Sequence, residues 1–244
     1  MKTVNLKHLL YLIITFILFT VIGTFTHEGG HIAVAKYYGY ETTLHYGSME
    51  SDAPWQPYAD SLQSIYNKYP NRNSSHGLTG LDSLNAAKLR AKIGELYNVS
   101  VSRHITLGGP AQTLLTSILG IIILLYRRKS ILTNGMNLWD WLAVFLALFS
   151  LRFVANMTLS ILSELRKPNG TYFGGDEARI ARSLQWPEGS VAIPLFCIGL
   201  AIALWVIFRV LPHKHRLTFI LSGLIGGSAG YVIWLHWLGP IILP

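Results

Sequence analysis

Cysteine is almost absent from this 244-residue chain; Cys197, inside an apolar run, is the single one. One thiol excludes an intramolecular disulfide framework and a cysteine-built zinc cluster, and it leaves the redox compartment unread. Charge is scarce as well. Asp, Glu, Lys and Arg make up 13% of the residues, about half the share of a typical soluble domain. Acidic residues are the rarer sign, 12 against 20 basic ones, for a net charge of +8. In a soluble protein that balance would suggest nucleic acid. Here the basic residues fall largely in short segments beside long apolar runs, which points to membrane orientation and no nucleic-acid partner. There is no internal repeat, and no second soluble domain of useful size.

What the chain does have is apolar length: 51% hydrophobic residues and a mean hydropathy of +0.37. Five runs are long enough to span a bilayer, at about 9–38, 105–126, 138–165, 191–211 and 217–243. They predict one membrane-embedded domain over 1–244, all-α and polytopic, with an extramembrane segment at 39–104. The first run follows Lys2, Lys7 and His8 like a signal peptide, but no small-x-small cleavage site follows it, so an uncleaved span is expected. Arg127, Arg128 and Lys129 are expected to stop the second span, and Trp139 and Trp141 to sit at the interface of the third. Thr42 to Tyr46 reads as a short β segment or hairpin. Residues 51–80 read as a loop with a short helix around 58–69. Residues 82–97 read as an amphipathic helix, lying on the membrane or packed on its own domain. Gly223, Gly226, Gly227, Ser228 and Gly230 predict close helix packing in the fifth span, where His236 is expected to hydrogen-bond a neighbouring helix.

The first span ends in His27-Glu28-Gly29-Gly30-His31. On a helix, residues four apart lie one turn apart on the same face, so both imidazoles can share a zinc ion. Glu28 is then placed to act as general base toward a water on that metal. Ionisable groups in a membrane segment are functional candidates by default. The competing reading is a pair of histidines capping a helix at the interface.

A catalytic zinc needs a third protein ligand. With five alternating spans, the residues on the His27–His31 side are His45, His76, His104, Glu164, Asp176 and Glu177. Asp176 stands out, because Gly174 and Gly175 before it allow an abrupt reversal toward another backbone. Its ordinary role would be the N-cap of a short helix running to Leu184; Glu177 is the substitute ligand. Arg152, Asn156, Ser160 and Glu164 recur every fourth residue along the third span. This polar stripe should face the bundle interior. There, Arg152 could neutralise a carboxylate or hold an oxyanion and Asn156 could bind a peptide backbone; a structural Arg–Glu network is the plainer reading.

On these residues the chain resembles the site-2-protease family of intramembrane zinc metalloproteases, over roughly residues 10–185. HEGGHIAVAKYYGY is similar to that family's HExxH helix, Gly109-Pro110-Ala111-Gln112-Thr113 to its glycine-proline motif, and Asp176 to its third-ligand aspartate. Two features depart from the pattern: Gly-Gly-Asp-Glu stands in place of Asp-Gly preceded by Asn-Pro, and Gln112 in place of a common Asn. The resemblance implies a zinc endopeptidase held by His27, His31 and Asp176. It would cleave a membrane-anchored protein with a Glu28-activated, zinc-bound water, in a bacterial cytoplasmic membrane. An edge strand at 41–47 could capture the unwound substrate by β-addition. The alternative is a non-proteolytic metal-binding protein, a transporter or an inactive scaffold. Basic residues gather on the N-terminal side of the bundle, favouring a cytoplasmic N-terminus. The resemblance implies a zinc nearer the cytosol, so the two indications of orientation diverge.

Overall fold

A computed structural model describes residues 6–69, 80–166, 168 and 172–244. Lys2 and His76, which entered the sequence reading, lie outside the described residues. A helix satisfies each backbone N–H and C=O within its own segment, so apolar runs of this length fold as helices. Among the described residues, five are long and apolar enough to cross a membrane: Leu6–Tyr37, Val99–Asn134, Leu138–Arg166, Gly189–Val210 and His213–Ile242. The chain is an all-α polytopic membrane protein with one small two-stranded sheet.

Helix α1 (Leu6–Tyr37) is a single rod carrying the HEGGH residues in its last third. The hairpin follows: β1 (Thr42–Leu44) pairs antiparallel with β2 (Met49–Ser51), Thr42 opposite Ser51 and Leu44 opposite Met49. Next come α2 (Gln56–Asn67) and α3 (Gly80–Leu96). These two pack on each other, with Tyr69 donating to Asp82 at 2.8 Å and Trp55 edge-on to Tyr97 at 5.3 Å. The helix at 82–97 is thus packed within its own domain, although Leu81 and Leu84 stay exposed.

Helix α4 (Val99–Asn134) continues as a helix through Arg127, Arg128 and Lys129, the residues expected to end the span. Asp140 is fully buried at the start of α5 (Leu138–Ala147). Arg127 grips it through both carboxylate oxygens, at 2.8 and 3.2 Å, while Asn137 and Asp140 cap the new helix reciprocally. The third span then breaks at a 3-10 turn, Leu148–Ser150, before resuming as α6 (Leu151–Arg166). Backbone groups freed in mid-membrane need a partner. The buried Ser117 hydroxyl of α4 supplies one, accepting from the Ser150 N–H at 2.9 Å.

Helix α7 (Gly175–Ser183) lies outside the spans; α8 (Gly189–Trp205) ends in a π-helical turn, Val206–Val210. The last span is α9 (His213–Val232), a second π-helical turn and α10 (Gly239–Ile242). Gly226 and Gly230 of α9 meet α1 where any Cβ would collide with Ile13, Phe16 or Thr20. The glycines thus make the close contact their spacing predicts, although Gly227 faces open space. His236 differs from expectation: it is exposed and makes an edge contact at 5.3 Å with Tyr231 of its own span.

The apolar core lies at the N-terminal end of α1. Leu12 and Phe16 pack there with Leu124, Ile131, Val144, Phe145 and Phe219, and the Phe16 ring sits 4.9 Å from Phe145. Trp141 packs against this core, stacked 5.9 Å from Phe219, and Trp139 is exposed.

Candidate metal centre

The second half of α1 carries no comparable apolar packing. Its buried residues are instead Thr24, His27, Glu28, His31 and Ala35. Helix α4 crosses this half closely because neither side has a Cβ at the contact. A methyl on Gly30 would strike the Gly108 carbonyl, and one on Gly108 would strike that of Gly30. Gly109 lies against the imidazoles themselves: its Cβ would fall on Nε2 of both His27 and His31.

The remaining imidazole nitrogens fix the two rings. His27 Nδ1 lies 2.9 Å from Thr113 Oγ1, and His31 Nδ1 lies 2.7 Å from the Ile105 carbonyl. A carbonyl only accepts, so His31 carries its proton on Nδ1 and turns the Nε2 lone pair inward. The Gly109 N–H is also 3.2 Å from that Nδ1, a contact requiring the opposite tautomer. The shorter carbonyl contact decides between them.

Helix α7 brings the third group. Gly175 adopts φ +70°, a left-handed conformation open to glycine, and it turns the chain back toward α1. The N-cap is Gly174, so Asp176 stands inside the first turn rather than at the cap. Its Oδ2 lies 2.9 Å from His27 Nε2 and 3.2 Å from His31 Nε2. These three side chains could hold a metal ion, with ligand atoms all within 4.8 Å of one another. Burial works to raise the Asp176 carboxyl, but the imidazoles facing it hold it well below the usual carboxylate range.

The other residues singled out by sequence fall around this group or away from it. Glu28 is buried, with Arg152 Nη2 at 3.6 Å from its Oε1. That contact suits either a neutralised carboxylate or a structural Arg–Glu pair. Asn156 reaches Glu177 Oε1 at 3.5 Å. Glu177 is not part of that group and lines a small cavity with Phe153, Asn156, Ser160, Phe173 and Gly174. Its Oε2 is buried with no hydrogen-bond partner among the described residues, and burial raises its carboxyl. Glu164 is buried further along α6 and is not part of the cluster. His104 bonds the Tyr38 hydroxyl at 2.6 Å; His45 sits in the hairpin turn, 3.6 Å from Glu50.

No family model matches the chain, and no curated protein or solved structure is significantly similar to it.

Sequence reasoning did not assign roles to Thr113, Ile105 or the missing Cβ of Gly109. A signal for two of them exists: Thr113 falls one turn after Gly109, on the helix face that meets the imidazoles. The Ile105 carbonyl carries no side-chain signature at all.

Proposed function

We propose that the protein is a zinc-dependent endopeptidase of the membrane, related to the site-2 proteases and cleaving a membrane-anchored protein. The observation that carries this reading is the convergence of two imidazole Nε2 atoms and one carboxylate oxygen beside a buried glutamate. Two histidines and one carboxylate form a donor set of catalytic zinc. The separations of 2.9 and 3.2 Å between them approach the edge of about 3.3 Å expected for a tetrahedron of zinc–ligand bonds. When bound, the metal would supply Lewis-acid polarisation.

The chain's own residues do the rest. Glu28 accepts a proton from the attacking water and passes it to the departing amide nitrogen. Arg152 stands beside Glu28 and orients its side chain until substrate arrives. Thr113 and the Ile105 carbonyl hold the imidazole tautomers. Each strand of the β1–β2 pair keeps one edge free of the other, and such an edge can take up an unwound peptide by β-addition.

The same Arg152–Glu28 pair supports the rival reading, a metal-binding scaffold in which Glu28 is structural. Glu28→Gln separates the two. With a membrane-anchored peptide substrate, the variant is expected to keep its zinc and lose cleavage by at least about a hundredfold. Cleavage at the wild-type rate would remove Glu28 as the base.

A further inference from the structure

The opposite end of the bundle, far along α1 from the histidines, gathers charge of one sign. Asp140 is the only acidic residue between 105 and 163, and residues 1–27 and 189–244 contain none. Asp140 is buried and spent on Arg127. Around it stand Lys7, Arg128, Lys129, Arg209, Lys214 and Arg216, from the first turn of α1, the end of α4, the end of α8 and the start of α9.

Contacts place these residues together. Arg128 Nε donates to the Arg209 carbonyl at 3.4 Å. Arg216 donates to the Phe208 and Leu211 carbonyls, at 2.7 and 3.1 Å. The π-helical turn thus has its freed carbonyls met by two arginines, which fixes both guanidinium groups. The terminal nitrogens of Arg128 have no protein partner among the described residues, and Arg209 is exposed. His8, beside Lys7, lies 5.0 Å from His215, beside Lys214, which ties the α1 and α9 charges to the same end.

The same surface is also greasy. Tyr126, directly before Arg127, is 90% exposed, and Phe208 and Leu217 are each 54% exposed. A ligand here must offer negative charge and hydrocarbon at once. Neither nucleic acid nor a soluble anion does so; an acidic phospholipid does.

We propose that this end of the bundle is a binding site for the phosphate headgroup of an anionic phospholipid, with Arg128, Arg209 and Lys214 as its main charges and Tyr126 and Phe208 alongside the acyl chains. The occupied end faces the leaflet richer in acidic lipid.

Native mass spectrometry of the detergent-purified full chain tests this, using phosphatidylglycerol and phosphatidylcholine with identical acyl chains. Wild type should retain the glycerol lipid several-fold better. Arg209→Gln with Lys214→Gln should erode that preference about fivefold per charge removed, with an unchanged melting temperature. Arg209 contributes its backbone carbonyl to the Arg128 contact, so the side-chain change leaves that contact intact. Should the double variant fail to fold, Lys214→Gln alone carries the test, with about a fivefold loss. Equal retention of both lipids by wild type would overturn the site. So would an undiminished preference in a folded variant, or displacement of the lipid by equimolar glycerol 3-phosphate.

Discussion

At the residue scale, the centre depends on groups that never touch a metal. Thr113→Val removes the oxygen facing His27 Nδ1 while keeping the side-chain shape. It should weaken zinc binding by about 10–100-fold, measured by competition with a chromophoric chelator, with little change in melting temperature. Gly109→Ala is the harsher change, because its methyl would occupy the space of both Nε2 atoms. Zinc per chain should fall to near zero by elemental analysis. Asp176→Ala should likewise empty the centre, whereas Glu177→Gln should keep the zinc and the melting temperature. The glutamate has one oxygen buried without a protein partner among the described residues, so losing its charge removes a cost rather than a contact. Zinc lost from Glu177→Gln and kept in Asp176→Ala would reverse the assignment of the third ligand.

At the scale of elements, what the sequence disclosed was local and what it hid was tertiary. HEGGH is legible because spacing alone puts its histidines on one helix face. The approach of Asp176 to the histidines was legible through its two glycines, yet the capping role was misplaced by two positions, since Gly174 takes it. Three basic residues in a row were legible as a charged end to the apolar run, but the Asp140 carboxylate that Arg127 grips was not. A partner thirteen residues away across a helix junction leaves no mark in a local pattern. The 3-10 turn in the third span was equally hidden, because its stability rests on a hydroxyl from a different helix. Helix packing was easier, since small residues at regular spacing have few other uses in an apolar segment. Gly226→Leu should therefore push α9 from α1 and cost about 1–3 kcal/mol, read as a lower melting temperature in detergent.

At the scale of the whole molecule, apolar packing and polar chemistry occupy opposite ends of the same bundle. The ring cluster around Phe16 owes nothing to the histidines, and Asp176 reaches them from a short helix outside the spans. Chelation should consequently raise amide exchange in residues 172–183 and leave the core halves of α1 and α9 protected, by hydrogen–deuterium exchange mass spectrometry. Uniform loss of protection would mean that the metal holds the bundle itself.

Helix α1 has no break between the ring cluster and the paired histidines, and that makes it a lever. From Phe16 to His31 it measures about 22 Å at the ordinary helical rise. A tilt of roughly 3° about the packed end would carry the imidazoles about 1 Å, a displacement large enough to spoil a catalytic geometry. The fulcrum and the working end are thus parts of one continuous helix, so a tilt at the packed end moves the imidazoles with it.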